Sequence, residues 1–191
     1  MERELFDADA KQENKKHKAV FLDRDGVINK KAPEGDYIKS WDEFKFLSDV
    51  DVAIRRLNEK GFLVVVVSNQ RGIARGVMTE DDLKEIHTRM KYELCKGGTI
   101  IDAIYYCPHD VDAHCGCRKP NPGLLFRAAK EHDIDLERSW MIGDSKSDIE
   151  AGKRARCKAI LLANPDPVRS GVEREFIAKS LAEAVNWILT V

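Results

Sequence analysis

Two aspartates, Asp23 and Asp25, stand two residues apart at the end of an apolar segment. Residues i and i+2 of an extended chain point the same way, so both carboxylates can converge on one small ligand or ion. Gly26 then allows the backbone to turn sharply beside them. Because two close carboxylates repel each other unless a cation or a shared proton relieves them, the pair predicts Mg²⁺ binding or acid–base chemistry. A solvated turn is the alternative that this motif alone leaves open.

Two other polar motifs stand where a strand ends or a helix begins. Ser68 follows the apolar run 62–67 and supplies a hydroxyl group that suits a phosphoryl oxygen. Arg118 and Lys119 precede a helix that is predicted to start near Pro122, and a helix N-terminus favours an anion. Taken singly, the serine also fits a plain turn and the basic pair also fits a solvated surface.

A second pair of acids, Asp144 and Asp148, follows another apolar segment and has Ser145 between its members. Asp144 at a strand end and Asp148 in the first helical turn could both serve one metal ion. Alternatively, Asp144 caps the helix and Asp148 complements the helix dipole. Together the motifs supply acids, a hydroxyl group and a cation, and we expect all of them at the same edge of one sheet.

Three cysteines and a histidine form a compact set written C-x-H-x5-C-x-C. Thiolates and imidazole are the ligands of structural zinc sites, which use four protein ligands in a closed shell. The surrounding prolines, glycines and acids are typical of a loop rather than of a packed core. The sequence therefore predicts a Zn²⁺ site made by Cys107, His109, Cys115 and Cys117. His114 is a rival for the histidine position.

The elements that must position these residues alternate along the chain. Near-continuous apolar runs predict strands that are buried on both faces, at 19–23, 62–67, 100–106, 139–142 and 158–162. Amphipathic stretches between and after them predict helices at 50–60, 79–96, 122–133, 146–156 and 178–189. This order predicts an α/β fold, a doubly wound, Rossmann-like parallel sheet with helices on both faces. Ligands bind beyond the carboxyl ends of the strands in such sheets.

Composition limits the functional classes. A chain of 191 residues predicts a single domain over 18–191, after a charged and mobile N-terminal extension over 1–17. The 32 basic and 33 acidic residues leave a formal charge of -1, which argues against a nucleic acid or membrane partner. No apolar run reaches the roughly 18 residues that span a bilayer. We therefore expect a cytoplasmic protein, a monomer that acts on a small molecule.

The ordered set Asp-x-Asp-Gly, Ser, Lys and Gly-Asp-x-x-x-Asp resembles the haloacid dehalogenase superfamily of phosphohydrolases over residues 19–163. The resemblance implies that Asp23 is the nucleophile that takes the phosphoryl group as an aspartyl phosphate. Asp25 would protonate the leaving oxygen and later activate water. Catalytic Mg²⁺ would be held by the Asp23 carboxylate, the Asp25 backbone carbonyl and Asp144, so that an anionic nucleophile can approach an anionic phosphate.

The same resemblance implies roles for the remaining motif residues. Ser68 would bind the phosphoryl group and Lys119 would neutralise it. Asp148 would support the metal through water or through Lys119, and Ser145 is a further supporting residue. An aspartate at position 25 is the acid that cleavage of a phosphate ester needs, which argues against dehalogenation.

Within the superfamily, the run 69–76 (N-Q-R-G-I-A-R-G), the segment 117–123 (C-R-K-P-N-P-G) and the zinc loop resemble the bacterial D-glycero-D-manno-heptose 1,7-bisphosphate 7-phosphatases. The resemblance implies removal of the 7-phosphate in the synthesis of nucleotide-activated heptose for lipopolysaccharide. The gaps between motifs are too short for a large cap domain, so the zinc loop is predicted to take its place over the phosphate pocket. The predicted substrate contacts are Asn69, Gln70, Arg118 and Lys31.

Other functions compete with this hypothesis. The zinc-containing histidinol-phosphate phosphatases share the catalytic set and a similar loop, and they are the main alternative substrate class. A DNA 3′-phosphatase is less favoured because the sequence contains no basic face with interleaved aromatic residues. A non-catalytic binding protein of the same fold would be indicated by replacement of Asp23, Asp25 or Lys119, and all three are present.

Overall fold

A computed structural model describes residues 16–163 and 177–191. Its centre is a six-stranded sheet in the order β3-β2-β1-β4-β5-β6, in which every neighbouring pair is parallel. The strands are β1 (Ala19–Leu22), β2 (Leu63–Asn69), β3 (Ala103–Cys107), β4 (Trp140–Gly143), β5 (Lys158–Leu162) and β6 (Ile177–Ala178). The helices are α1 (Val50–Glu59), α2 (Arg71–Ala74), α3 (Glu80–Lys96), α4 (Gly123–Glu131), α5 (Lys146–Arg154) and α6 (Leu181–Ile188). The predicted doubly wound α/β class is confirmed.

Alternate residues of β1 belong to two separate cores, one on each face of the sheet. Val20 and Leu22 contribute to a core with apolar residues of α1, α3 and α6. Ala19 and Phe21 contribute to the opposite core, which contains apolar residues of α4 and α5. The strand must therefore be apolar on both faces, which is why it is a continuous apolar run in the sequence.

Two elements were not predicted, and both are too short to show a periodic pattern. The helix α2 has four residues and β6 has two. The strand β6 begins at Ile177, so the predicted helix 178–189 starts later, after Ser180. The Ser180 hydroxyl accepts a hydrogen bond from the backbone N–H of Glu183, which is the expected cap for that helix.

The N-terminal boundary lies slightly earlier than predicted. The backbone N–H of His17 donates to the Asp133 carbonyl at 2.9 Å, and the His17 carbonyl accepts from the Asp135 N–H at 2.7 Å. His17 was predicted as the last residue of a mobile extension, but these bonds fix it to the domain. Residues 1–15 of that extension lie outside the described residues.

The segments between the strands carry no inserted domain over residues 16–163. The two longest irregular stretches follow β1 and β3, and the second one contains the predicted zinc loop. None of the helices in the described ranges is both long and apolar enough to cross a membrane.

Candidate active site and metal cluster

The carboxyl ends of three adjacent strands bring the acidic and hydroxyl motifs together. The strand β1 lies between β2 and β4, so Asp23 after β1 lies beside Ser68 on β2 and Asp144 after β4. The backbone N–H of Asp23 extends the pairing with a 2.9 Å bond to the Ile142 carbonyl. Motifs that are distant in the sequence therefore meet at one edge of the sheet, as the parallel order predicts.

A buried lysine joins two of the acids. Lys119 Nζ lies 2.8 Å from Asp23 Oδ1 and 2.6 Å from Asp148 Oδ1, and it also donates to the Val67 carbonyl at 2.7 Å. Burial lowers the pKa of Lys119, but the two carboxylates outweigh that effect and raise it above its ordinary value. Lys119 is therefore a fixed positive charge inside the site.

The predicted nucleophile has a perturbed pKa. Burial raises the pKa of Asp23, and repulsion from Asp148 and Asp25 raises it further. The attraction of Lys119 opposes these effects but does not cancel them. A further cation beside Asp23 would favour the anionic form that a nucleophile needs.

Asp25 lies in a different environment, surrounded by donors. Its Oδ1 accepts from Arg24 Nη2 at 2.9 Å and from Asn29 Nδ2 at 2.8 Å. Its Oδ2 accepts from Arg24 Nη2 at 2.9 Å and from Gln70 Nε2 at 3.1 Å. Burial raises the pKa of Asp25, but Arg24 and these hydrogen bonds lower it below its ordinary value. The two carboxylates therefore differ in proton affinity in the metal-free protein, and Asp23 holds a proton more tightly than Asp25 does.

Three carboxylates can serve one metal ion. Oxygen atoms of Asp23, Asp144 and Asp148 all lie within 4.8 Å of one another. Asp144 Oδ1 is buried and has no hydrogen-bond partner among the described residues, and burial raises the pKa of this carboxyl. An unsatisfied buried carboxylate oxygen and a set of hard oxygen ligands both fit Mg²⁺. The Asp25 carboxylate is not part of this group, which agrees with a contribution through its backbone alone.

Gly26 and Lys31 both contact Asp144. Gly26 has a φ of 92°, and a Cβ atom at this position would lie 1.8 Å from Asp144 Oδ2. Lys31 Nζ lies 2.6 Å from the same oxygen, while the Lys31 side chain is 52% exposed. Lys31 therefore lies at the rim of the site on the metal-ligand side, and its predicted contact with substrate stays a prediction.

Asp148 also starts helix α5. The backbone N–H and the hydroxyl of Ser145 donate to Asp148 Oδ2 at 3.0 and 2.6 Å. The other oxygen pairs with Lys119. A Cβ atom on Gly143 would lie 2.1 Å from Asp148 Cβ, so only glycine allows this close approach. One carboxylate therefore links the helix start to the buried lysine.

The predicted substrate contacts on β2 bind other protein groups. Asn69 Oδ1 accepts from the Lys119 N–H at 3.0 Å, and Asn69 Nδ2 donates to the Lys119 carbonyl at 3.1 Å. Gln70 Nε2 donates to Ser68 Oγ at 2.6 Å and to Asp25. These amides hold the Lys119 backbone, Ser68 and Asp25 in place. Direct contact of Asn69 or Gln70 with substrate remains a prediction.

The four predicted zinc ligands lie together. Cys117 Sγ is 3.2 Å from Cys107 Sγ, 3.4 Å from Cys115 Sγ and 3.3 Å from His109 Nδ1. A tetrahedral site with Zn–S bonds of about 2.3 Å has sulfur atoms roughly 3.8 Å apart, so the sulfur atoms would have to move apart by only about 0.5 Å to hold zinc. Cys107 is buried at the end of β3, whereas the other ligands lie on the loop. His114 does not belong to the group.

The zinc loop is anchored to the active-site edge. Arg71 Nε on α2 lies 2.5 Å from Asp110 Oδ1, and Arg75 Nε lies 3.4 Å from Asp110 Oδ2. Arg118 Nη1 donates to the His109 carbonyl at 3.2 Å. The loop is therefore held at the short helix after β2 and directly before Lys119, and its role as a substitute cap over the phosphate pocket stays a prediction.

The sequence interpretation missed three site residues: Arg24, Asn29 and His87. The Arg24 side chain is fully buried and forks onto Asp25, while its Nη1 lies 3.4 Å from His87 Nε2. The sequence did contain a signal for Arg24. In an extended segment, residue i+1 points to the opposite face from residues i and i+2, and both faces of the sheet are covered at β1. An arginine there must be buried and paired. His87 gave no such signal because it contacts the site only through the placement of α3.

Comparisons with known proteins agree with this geometry. Residues 116–184 match the HAD-hydrolase-like family model. The D-glycero-beta-D-manno-heptose-1,7-bisphosphate 7-phosphatase of Helicobacter pylori strain J99 is 38% identical over 174 residues, covering 90% of this chain and 97% of that protein. The D-glycero-D-manno-heptose-1,7-bisphosphate 7-phosphatase of Thermosynechococcus vestitus is 38% identical over 190 residues, covering 90% and 95%.

A solved structure supports the same relationship. The D,D-heptose 1,7-bisphosphate phosphatase from B. bronchiseptica, complexed with magnesium and phosphate, is 34% identical, with a TM-score of 0.83 and coverage of 91% of this chain and 98% of that one. The identity and coverage, together with the acids, lysine and cysteine cluster, make this protein a HAD-type phosphatase. The chain belongs to the D-glycero-D-manno-heptose-1,7-bisphosphate 7-phosphatase family.

Proposed function

We propose that this phosphatase removes the 7-phosphate of D-glycero-D-manno-heptose 1,7-bisphosphate, as the names of its relatives indicate. The observation that carries the proposal is the buried Lys119, which pairs with Asp23 and Asp148 and closely follows the cysteine loop, whose residues fit zinc. A phosphate bound beside Asp23 would meet this charge. The lipopolysaccharide precursor pathway and a cytoplasmic location follow from that substrate.

The chain's own residues supply each chemical role. Asp23 attacks phosphorus, the ester bond to the sugar breaks, and an aspartyl phosphate forms on Asp23. Asp25 donates a proton to the leaving oxygen and then takes one from the water that hydrolyses the intermediate. Asp25 is ionised in the free protein, so it takes up the proton that it donates from solvent when an anionic phosphate binds and raises its proton affinity. Ser68 donates to a phosphoryl oxygen.

Magnesium would be held by the Asp23 and Asp144 carboxylates and by the backbone carbonyl of Asp25, and it would neutralise charge between nucleophile and phosphate. Asp148 lies in the same carboxylate group but keeps one oxygen on Lys119 and the other on Ser145. We therefore assign Asp148 a supporting role. Zinc would be held by the four loop ligands and would be structural, because three thiolates and an imidazole complete its shell.

A substrate panel tests the proposal. Phosphate release with Mg²⁺ is measured for both anomers of the heptose bisphosphate and for histidinol phosphate. We expect kcat/KM to be highest for a heptose bisphosphate, because Arg118 directly precedes Lys119 in the chain and its guanidinium group would supply a second anion contact. A higher kcat/KM for histidinol phosphate would overturn the substrate assignment in favour of that branch.

The mechanism is tested with Asp23→Asn, which keeps the side-chain shape but removes the nucleophilic carboxylate. We expect kcat to fall by about three orders of magnitude or more. Asp81→Asn serves as the control because it makes the same change at an exposed aspartate in the first turn of α3. Equal activity of Asp23→Asn and the wild type would contradict covalent catalysis at this residue.

A further inference from the structure

His87 is a buried titratable residue with no part in the chemistry proposed above. It lies on α3 and is 8% exposed, behind the fully buried Arg24. Arg24 lies between His87 on one side and the Asp25 carboxylate on the other. A histidine on a helix thus reaches the acid–base residue through a single intervening side chain.

The guanidinium group uses its two ends for different partners. Nε and Nη2 donate to Asp25 oxygens at 3.2 and 2.9 Å, and Nη1 faces His87 Nε2 at 3.4 Å. Within residues 16–163 and 177–191, His87 is the acceptor that the structure provides for Nη1. Because arginine has no acceptor, Nε2 must accept and the ring proton must be on Nδ1.

The electrostatics of the ring agree with an acceptor role. Burial, reinforced by the charge of Arg24, lowers the pKa of His87 to about 3. The imidazole is therefore neutral at physiological pH and keeps a free lone pair. A protonated ring at this position would repel the guanidinium group.

Loss of the acceptor would disturb Asp25 as well as Arg24. A buried N–H group without a partner costs free energy, so the guanidinium group would rotate toward another acceptor. Rotation would break the planar fork on Asp25, whose two oxygens share Nη2. A carboxylate that must meet a leaving oxygen in one orientation loses efficiency when its orientation is no longer fixed.

We propose that His87 is a positioning residue, which accepts a hydrogen bond from Arg24 and thereby fixes the orientation in which Asp25 protonates the leaving group. This inference rests on the proposed function, in which Asp25 is the general acid. It assigns His87 no contact with substrate or metal.

Two variants distinguish the loss of the hydrogen-bond acceptor from the loss of the volume of the imidazole ring. His87→Leu removes the acceptor and keeps an apolar side chain, whereas His87→Gln places an amide oxygen near the position of Nε2. For each, kcat/KM is measured with the heptose bisphosphate and with p-nitrophenyl phosphate. The sugar alkoxide needs a proton to leave, but p-nitrophenolate does not, so only the first substrate depends on Asp25 as an acid.

We expect His87→Leu to lower kcat/KM for the sugar phosphate about tenfold or more and to change the value for the aryl phosphate less than about threefold. His87→Gln should restore the ratio of the two values to within about threefold of wild type. Met90→Ala is the packing control, since Met90 is fully buried on the same helix in the apolar core. It should leave the ratio unchanged.

An unchanged ratio in His87→Leu, or an equal loss on both substrates, would overturn the positioning role. Failure of His87→Gln to restore the ratio would also contradict it. A wild-type protein that hydrolyses p-nitrophenyl phosphate but not the heptose bisphosphate would refute the proposed substrate instead. In that case the His87 variants are compared on the best alkyl phosphate of the panel.

Discussion

Lys119 shows how one buried charge organises the site at the scale of residues. Its ammonium group satisfies Asp23 and Asp148 at once, and the Asn69 side chain holds its backbone on both sides. The lysine can therefore neither move away nor lose its proton at neutral pH. Removing a partner from such a buried arrangement leaves uncompensated charge, which is more costly than losing a surface ion pair.

We predict that Lys119→Met lowers the free energy of unfolding by about 3 kcal/mol, because two buried carboxylates lose their cation. The measurement is urea unfolding followed by circular dichroism in the presence of a chelator. Arg89→Met is the matched control, since Arg89 pairs with Glu85 on the exposed face of α3. Its loss should cost about 0.5 kcal/mol or less. A similar loss of unfolding free energy in the two variants would contradict the role of Lys119 as the cation that stabilises two buried carboxylates.

The pH dependence of stability follows from His87. Its folded pKa of about 3 lies below the ordinary histidine value of 6.5, so between these values the unfolded chain binds a proton that the folded chain does not. The stability contributed by the neutral ring is complete above pH 6.5 and is lost as the pH falls toward 3. We predict that wild type loses about 1.4 kcal/mol per pH unit relative to His87→Gln over this window.

Urea unfolding curves at pH 7, 6 and 5 measure the difference. His17→Gln is the control because His17 is exposed. The stability of this variant should change with pH in parallel with that of wild type. Parallel curves for wild type and His87→Gln would contradict a buried neutral imidazole.

At the scale of elements, the first turn of α5 is part of the site as well as a helix start. The helix α3 begins with the same device: the N–H and hydroxyl of Thr79 donate to Asp82 Oδ2, both at 2.7 Å. Asp82 is exposed, whereas the equivalent Asp148 is buried against Lys119. Each of these serine or threonine and aspartate pairs is a capping box. Variants of the two boxes therefore distinguish an effect on helix stability from an effect on the position of Asp148.

We predict that Ser145→Ala and Thr79→Ala each lower stability by about 1 kcal/mol, because each removes one capping hydroxyl. Only Ser145→Ala should also lower kcat, by severalfold, because Asp148 loses a bond at 2.6 Å that fixes it beside Lys119. Thermal unfolding and steady-state kinetics on both variants measure these effects. A similar fall in kcat for Thr79→Ala would show that the effect is general destabilisation.

The cysteine loop is the second element with a separable role. We predict about one equivalent of zinc in elemental analysis and a fall in the midpoint of thermal unfolding of about 5 °C or more after strong chelation, since metal binding supplies folding free energy. Cys117→Ser should reproduce the loss. Cys95→Ser, an exposed cysteine outside the cluster, should not. Unchanged stability of the chelated protein would remove the structural role of the metal.

At the scale of the whole molecule, the parts predictable from sequence are those set by local patterns. Continuous apolar runs ending in Asp23, Ser68 or Asp144 place these residues at one sheet edge, and the cysteine spacing brings its ligands together. The contact of His87 with Arg24 was not predictable, because it depends on how α3 crosses the sheet. The roles of Asn69 and Gln70 depend in the same way on contacts between strands and loops.

We predict that the protein is a monomer, with a mass of about 21.7 kDa by light scattering. The large apolar side chains that are exposed in the described residues lie on separate elements, for example Val52 on α1, Tyr92 on α3 and Phe126 on α4. A stable interface usually needs one large contiguous apolar patch, and this distribution over several elements indicates none in the described ranges. A mass near twice this value, or specific activity that rises with protein concentration, would contradict the prediction.

The absence of an inserted domain over residues 16–163 gives the enzyme a modular design. The acids and the lysine belong to the sheet and its first helical turns, whereas Lys31 and the cysteine loop stand at the rim. We therefore expect chemistry and substrate choice to be encoded in different stretches of the chain. We expect new sequences grafted into 32–37 and 111–114, which spare Lys31 and Asp110, to alter which phosphate ester is accepted without rebuilding the catalytic core, which makes the scaffold a starting point for tailored sugar phosphatases.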